Sequence, residues 1–282
     1  MTYMKTSKTA LNLTEGRPMK LILRFAIPVF LGNLFQICYS LVDTKIVGSI
    51  LGEEALAAVG SVSILYTLLT GFFNGLSLGF SVITARFYGS GEERKLKENV
   101  AGAILLGYLT AAVIITVAAV FLRPILTLLN VPPQQLDMSL SYITLLVWGM
   151  FVTLAYNLCA NTLRAIGDSI TPLIFLVIAA LTNVALDYLF ILVFDLGVRG
   201  AAVATMLSQL LSVMLCLNRI RQGFPILHLA REHFVLSKKQ AVMLYESGLS
   251  MGLMSSLVNF GSLVLQSGIN QLGTNIIVAH TA

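Results

Sequence analysis

The chain has 282 residues, of which 57% are hydrophobic and 11% are charged, and its formal net charge is +5. In ordinary soluble domains about a quarter of the residues are charged. This chain has too few charged residues to cover a soluble core with polar surface. The composition therefore excludes a soluble globular protein and indicates a membrane protein.

Apolar runs long enough to cross the hydrocarbon core of a bilayer, about 20 residues each, recur between short charged segments. In chain order we predict spans near 21–42, 58–84, 100–122, 138–160, 171–194, 199–218 and 248–270. The first run is too long for a cleavable signal peptide and is followed by no small-residue cleavage site, so we expect it to stay in the membrane. The prediction is an all-α, polytopic membrane protein.

Basic residues between the spans predict the orientation of the chain. Only Lys45, Arg123 and Arg199 fall on one side of the membrane, whereas 15 of the 18 Lys and Arg residues fall on the other. Those 15 are Lys5, Lys8, Arg17, Lys20, Arg24, Arg86, Arg94, Lys95, Lys97, Arg164, Arg219, Arg221, Arg231, Lys238 and Lys239. The positive-inside rule places the N-terminus and the even-numbered loops in the cytoplasm, with the chain in the cell membrane. We therefore interpret the positive charge as topology and expect no nucleic-acid partner.

The first two spans contain residues with distinct backbone effects. Pro28 lies inside the first span, where proline frees a carbonyl and favours a kink, and both simple distortion and a hinge remain open. Gly71, Gly75 and Gly79 align small residues on one face of the second span. Such a face lets another helix approach closely, and packing is the favoured role.

Two turns are marked by their residue types. Gly89-Ser90-Gly91 breaks the helix after the second span and predicts a tight turn. In the later segment RAIGDSITP, Gly167 can end the fourth helix and either Asp168 or Ser169 can cap the next. Pro172 suits the first turn of that helix.

The fifth span contains Asp187 within the otherwise almost wholly apolar stretch TNVALDYLFILVF. A charged aspartate near the centre of a membrane helix costs about 2.5–3.5 kcal/mol on insertion scales, so it must face the bundle interior. Asn183 lies four residues earlier and shares its face. Spacing alone leaves open an interhelical hydrogen bond and a functional site.

No residue pattern points to an enzyme. Cys38, Cys159 and Cys216 fall within spans at no metal-ligand spacing, and we expect them to be buried apolar side chains. His228 and His233 fall between spans, and His280 lies near the end of the chain. We find no nucleophile elbow, phosphate loop or metal-ligand cluster, so we expect neither catalysis nor a cofactor.

The seventh span repeats the pattern of the first at a shift of about 221 residues, so that Leu51-Gly52 falls on Leu272-Gly273. A restart after six spans is typical of transporters built from repeats. We predict a six-helix transmembrane bundle over 1–218, a cytoplasmic linker over 219–247, and the first helix of a second, repeated bundle over 248–282. The chain is thus interpreted as a truncated 12-helix transporter whose seventh helix should pack poorly, because the rest of its C-terminal bundle is missing.

Five blocks together resemble the N-terminal portion of the multidrug and toxic compound extrusion (MATE) family of transporters. They are LVDTKIVGSILGEEALAAVG at 41–60, GLSLGFSVITARFYGSGEERK at 75–95, NTLRAIGDSITP at 161–172, NVALDYLFI at 183–191 and GVRGAAVATMLSQ at 197–209. Each block is a modest signal, but their order and spacing are specific. The resemblance covers nearly all of the chain after about residue 15. It implies two facing six-helix bundles in a complete protein.

The resemblance also implies a set of site residues. Members of the family are thought to bind the coupling cation through an aspartate of the first helix, an Asn-x-x-x-Asp pair of the fifth and a threonine of the sixth. The corresponding residues are Asp43, Asn183, Asp187 and Thr205. Such oxygens suit Na⁺, and two neighbouring acids also suit H⁺. Bending of the first helix in similar proteins makes Pro28 a candidate hinge.

The leading functional hypothesis is a secondary active antiporter that exports organic, often cationic compounds in exchange for Na⁺ or H⁺. A lipid-linked precursor flippase is the first alternative, but it would need basic residues inside its cavity, and no Lys or Arg lies in the middle of a span. A seven-helix receptor is a weaker alternative, because its N-terminus would lie outside the cell.

Four aromatic residues are candidates to line the cavity for the organic substrate. They are Phe35, Tyr39, Tyr66 and Tyr156, and contacts with lipid or with other helices are as compatible with each of them. The sequence does not specify the exported compound, the choice between Na⁺ and H⁺, the oligomeric state or the activity of the chain alone.

Overall fold

The computed structural model describes residues 16–129 and 131–271, with side chains described as far as Gly261. Within this part of the chain all regular structure is helical, which confirms the predicted all-α class. The six long helices are α1 (Pro18–Gly89), α2 (Glu93–Leu128), α3 (Pro133–Ala165), α4 (Ile170–Tyr188), α5 (Gly197–Gly223) and α6 (Lys238–Gln271). All six are long and apolar enough to cross a membrane.

Helix α1 is divided at Gly52, which has φ +85° and ψ −177°. A straight helix of its 72 residues would be about 108 Å long, far more than the ~30 Å of a bilayer core. Tyr66 nevertheless lies near Asp43, so the chain turns back and its two arms lie side by side. Residues 18–51, the first arm, and 53–89, the second arm, contain the first and second predicted spans.

The turn between α1 and α2 matches its predicted position. Helix α1 ends at Gly89 and α2 begins at Glu93, and Gly91 adopts φ +75°, a conformation that favours glycine. Glu92 is paired with Lys95. Hydrogen bonds from Lys95 and Ser90 lower the pKa of the Glu92 carboxyl.

Two hydrogen bonds show which helix ends lie together at each end of the bundle. At one end, the Gln240 side-chain amide donates to Glu98 over 3.0 Å, which joins the start of α6 to the start of α2. At the other end, Arg199 donates to Ser141 over 3.0 Å. The charge pattern assigns these two ends to opposite sides of the membrane. Which of the two ends faces the cytoplasm remains a prediction.

An epitope tag tests this orientation. A tag before Met1 is expected to react with antibody only after cells are permeabilised, because the basic loops favour the cytoplasmic side. A tag inserted between Asp195 and Leu196, in the exposed turn at the opposite end, should react in intact cells. Reversal of the two patterns would contradict the orientation.

The turn between α3 and α4 confirms part of the predicted capping. Gly167 adopts φ +90° after the end of α3. The buried Asp168 carboxylate accepts hydrogen bonds from the backbone N–H and the hydroxyl of Thr171, over 3.1 and 2.7 Å. Asp168 therefore caps α4, and its Oδ2 also lies 3.8 Å from Arg219 of α5. Pro172 is the third residue of α4.

Removing this cap should destabilise the bundle. We expect Asp168→Ala to lower the free energy of unfolding by about 1–3 kcal/mol, because a helix cap and a buried ion contact are lost together. Thermal unfolding of the purified chain in detergent measures the change. The exposed Asp137 supplies the control, and an Asp137→Ala variant as unstable as Asp168→Ala would contradict the assignment.

Helix α6 packs along the second arm of α1. A Cβ atom added at Gly79 would lie 2.6 Å from the Cα of Gly248, so the two backbones are in direct contact. The close approach predicted from the glycine pattern is confirmed. Outside this contact α6 leaves large apolar side chains exposed, among them Leu253, Met254 and Leu257, so the expectation that it packs poorly stays a prediction.

The segment between α5 and α6 is packed against the bundle. Helix α5 continues to Gly223, α6 begins at Lys238, and two short 3₁₀ helices lie between them at Pro225–Leu227 and Arg231–Phe234. Phe224 and Leu227 are buried against residues of α2, α3 and α5. The domain boundaries at 218 and 247 remain a prediction, and the aligned repeat at Leu272-Gly273 and His280 lie outside the described residues.

Candidate functional site

Helices α4 and α5 bring together three of the four predicted cation-site residues. Asn183 and Asp187 lie on the buried face of α4, each 0% exposed, and Thr205 of α5 is 7% exposed. The helix changes to a π-helical turn at Leu189–Val193, directly after this pair. Such turns are frequent at functional sites.

Asn183 is the bridge between its two neighbours. In the amide orientation that satisfies both of them, its nitrogen donates to Asp187 Oδ2 over 2.9 Å and its oxygen accepts from the Thr205 backbone N–H over 3.1 Å. The opposite orientation makes one longer bond of 3.4 Å to the Thr205 hydroxyl. We use the first orientation, because it leaves neither amide atom facing a like group.

Asp43, on the first arm of α1, completes the set. Its carboxyl group lies within hydrogen-bonding reach of the Asp187 carboxyl group. Ionised carboxylates only accept hydrogen bonds, so a proton on one of them or a cation between them would stabilise this arrangement. One oxygen of each group, Oδ1 in both cases, is buried without a hydrogen-bond partner. The paired acids therefore have the free acceptor capacity that a cation or proton would use.

Further polar residues that the sequence reasoning missed lie next to Asp43 or next to Tyr66. Tyr142 is 7% exposed and lies close enough to Asp43 to interact with its charge. Gln209 lies within hydrogen-bonding reach of Tyr66 and accepts a 2.6 Å bond from the Thr153 hydroxyl. Gln209 and Thr153 are polar residues inside apolar spans, and that signal could have identified them.

The four residues predicted to line the cavity lie in different surroundings in the structure. Tyr39 lies within hydrogen-bonding reach of Thr205, and Tyr66 lies near Asp43. Phe35 is 46% exposed, four residues before Tyr39 on α1. Tyr156 instead donates to the Pro172 carbonyl over 3.4 Å and packs with the separate cluster around Leu163. Only the two tyrosines of α1 are thus placed beside the acid pair, and the lining of a substrate cavity remains a prediction.

Two other predicted features have mixed outcomes. Helix α1 continues through Pro28, since Gly52 is its one residue with non-helical dihedral angles, and a hinge at Pro28 remains a prediction.

All three cysteines are free. Cys216 is buried and Cys159 is half-buried, but Cys38 is exposed, so the expectation of a buried side chain is wrong there because that position lies on the outer face of the first arm.

Together, the six long apolar helices of the described residues and the acid pair between them define a polytopic α-helical membrane protein with a polar site inside its bundle. The MatE family model matches residues 28–189, and the chain belongs to this family. The match ends just after Asp187 and so includes both acidic residues of the site.

Individual relatives agree with this assignment. The chain is 29% identical over 263 residues to the probable multidrug resistance protein YoeA of Bacillus subtilis strain 168, covering 91% of this chain and 57% of that protein. It is 28% identical over 220 residues to the FAD transporter of Shewanella oneidensis, covering 75% of this chain and 47% of that protein. The chain therefore spans less than two thirds of these relatives.

A solved structure has the same fold. The crystal structure of MATE in the bent conformation superposes with a TM-score of 0.86 at 25% identity, covering 98% of this chain and 62% of that one. The similarity extends over the described helices, including α6.

Proposed function

We propose that this chain is the cation-binding part of a secondary antiporter, which exports organic compounds in exchange for Na⁺ or H⁺ bound at Asp43, Asn183, Asp187 and Thr205. The observation that carries the proposal is the contact between Asp43 and Asp187, each of which retains a buried oxygen without a partner. Two carboxyl groups at one buried site favour a positive ion or a proton.

The available ligands suit either ion. Carboxylate, amide and hydroxyl oxygens are the hard donors that Na⁺ accepts, and Asn183 holds the Asp187 carboxylate by its 2.9 Å bond. In the proton case, one proton shared by the acid pair would neutralise one charge. In both cases the bound ion makes the interior of the bundle less negative, which weakens the attraction for an organic cation. Ion and substrate would therefore displace one another.

The position of Asp43 suggests how ion binding is linked to conformation. Asp43 and Tyr39 belong to the first arm of α1, whereas Asp187 and Thr205 belong to α4 and α5. An ion that bridges Asp43 and Asp187 favours the position of the arm in which the two groups meet, because it binds that state more tightly. Among similar proteins, crystal structures of MATE have been solved in a bent and in a straight conformation. We propose bending of the first arm near Pro28 as the corresponding motion.

The flippase alternative gains no support from the surroundings of the acid pair. Among the described residues, the side chains next to it include Asn183 and the tyrosines Tyr39, Tyr66 and Tyr142. Arg164 lies near the end of α3, where it donates to Asn161 over 3.0 Å. A site that held a pyrophosphate would instead place basic groups around the ligand.

Transport by a completed protein tests the proposed function. This chain can be completed by the second half of YoeA, joined after α6, and reconstituted in vesicles with YoeA itself as the positive control. We expect an imposed Na⁺ or H⁺ gradient to drive a fluorescent organic cation in the opposite direction, and an ionophore that collapses the gradient to stop it. Movement of the organic cation that is equally fast without any gradient would contradict antiport.

A further inference from the structure

The segment between α5 and α6 has one side that packs on the bundle and another side that is exposed. Phe224 and Leu227 are each 4% exposed and belong to the cluster around Leu163. In the second half of the segment, Phe234 is 44% exposed and Val235 is 71% exposed. We refer to these last two residues as the apolar pair.

Side-chain contacts hold the backbone on both sides of the apolar pair. His233 Nδ1 accepts from the backbone N–H of Ala230 over 2.8 Å, which closes the 3₁₀ turn at Arg231–Phe234. The Ser237 hydroxyl donates to the Gln240 side-chain oxygen over 2.8 Å at the start of α6. The apolar pair is therefore presented by a fixed turn.

The apolar pair lies near the boundary between the polar and the apolar part of α2. The charged start of α2 ends at Glu98, and an apolar run follows from Val100. Gly102 lies about 6 Å beyond Glu98 along the helix, and a Cβ atom added there would lie 2.6 Å from Leu236 Cδ1. Leu236 directly follows the apolar pair. The pair is thus at the height of the membrane interface, where aromatic side chains are enriched.

Exposed bases next to the apolar pair lack acidic partners within the described part of the chain. In α2, Lys97 Nζ lies 2.7 Å from Glu93 Oε1, and the other bases of its first two turns are paired in the same way. No salt bridge between described residues involves Arg231, Lys238 or Lys239, which are all exposed. Their charge is available to an external anionic group.

We propose that the apolar pair and these three bases form an anchor for anionic phospholipid. The two apolar side chains enter the interfacial layer, and Arg231, Lys238 and Lys239 attract the negative headgroups around them. Apolar side chains next to Lys and Arg bind the surface of an anionic leaflet. Glu232 is the one acid between Arg221 and Lys239, so the segment as a whole is positive. The proposal does not depend on antiport.

A single tryptophan tests the contact. Trp148 is the one tryptophan of the chain, so Phe234→Trp is made in a Trp148→Phe background. The purified chain is placed in nanodiscs of equal parts phosphatidylglycerol and phosphatidylcholine, with only one of the two lipids brominated near the headgroup end of its acyl chains. We expect brominated phosphatidylglycerol to quench the fluorescence about twofold more strongly than brominated phosphatidylcholine, and high salt to reduce the difference.

Two results of this experiment would overturn the proposal. Equal quenching by the two lipids would show a contact with no preference for negative headgroups. No quenching by either lipid would show that the segment stays in water or is covered by protein.

The native tryptophan supplies a matched control for the position. Trp148 is 50% exposed and lies about 22 Å along α3 from the first residue of that helix, well inside the membrane part. In the parent chain it should be quenched equally by the two brominated lipids. A preference for phosphatidylglycerol at Trp148 as large as that in Phe234→Trp would contradict an anchor at the apolar pair.

Variants with fewer bases show whether charge is responsible. We expect Lys238→Gln combined with Lys239→Gln to reduce the difference between the two lipids by at least about half while quenching itself is retained. Arg123→Gln combined with Arg199→Gln removes the same charge from exposed positions at the opposite end of the bundle and should leave the difference unchanged. An unchanged difference in the double lysine variant would overturn the role of the bases.

The second bundle of a complete transporter is the competing occupant of this surface. Val235→Cys, in a background without other cysteines, carries a polarity-sensitive fluorophore and is compared in the chain alone and in the completed fusion with the same brominated lipids. We expect the preference for phosphatidylglycerol in both proteins. Loss of quenching in the fusion alone would assign the surface to the second bundle and overturn the lipid anchor. No transport is measured, so a fusion that fails to transport leaves this result in place.

Discussion

Replacing Asp187 by asparagine in the completed fusion is expected to reduce gradient-driven efflux to the background of empty vesicles. Asparagine has the size of aspartate and its oxygen can still accept the bond that Asn183 donates over 2.9 Å, so the fold should be retained. It cannot hold a negative charge or take up a proton at neutral pH. Asp43 then has no second carboxylate with which to hold Na⁺ or share a proton, so we expect substrate movement to lose its driving ion.

Asp195 offers a matched control for this substitution. It is exposed in the turn between α4 and α5 and adopts φ +51°, a conformation that asparagine tolerates well. Asp195→Asn removes the same charge outside the acid pair and should leave efflux unchanged. Unchanged efflux in Asp187→Asn, with normal amounts of protein in the membrane, would return Asp187 to a structural role.

The 282-residue chain expressed alone is expected to enter the membrane and to confer no drug resistance. The chain spans 57% of YoeA, and a substrate cavity between two bundles needs surfaces from both of them. Growth of a drug-sensitive strain in the presence of organic cations measures the effect, with YoeA as the positive control and membrane fractions to verify insertion. Resistance conferred by this chain without any added second half would contradict the two-bundle account.

The crossing segments could be predicted because membrane burial imposes a length and an apolar composition on each of them. The same reasoning identified Asp187, since an acid in an apolar helix must face the interior, and the spacing to Asn183 placed both on one face. Asp43 and Thr205 came from the family resemblance. The structure places both beside Asp187 and Asn183.

Contacts between distant segments could not be predicted in the same way. The position of α6 depends on the fit of two backbones at Gly79 and Gly248, and the shape of the first bundle is not readable from the periodicity of either helix. Tyr142 of α3 approaches Asp43, and Gln209 of α5 approaches Tyr66, and only the packing of these helices brings them there. Cys38 was wrongly expected to be buried because an apolar run does not show which of its faces meets lipid.

Ion binding to the purified chain tests the central claim most directly. Radioactive Na⁺ binding and proton release are measured on the parent chain, on Asp187→Asn and on Asp195→Asn, without any need for transport. The account predicts one saturable event in the parent, either Na⁺ bound or a proton exchanged, that disappears in Asp187→Asn and persists in Asp195→Asn. A parent that neither binds Na⁺ nor exchanges a proton, or equal binding in Asp187→Asn and the parent, would contradict it.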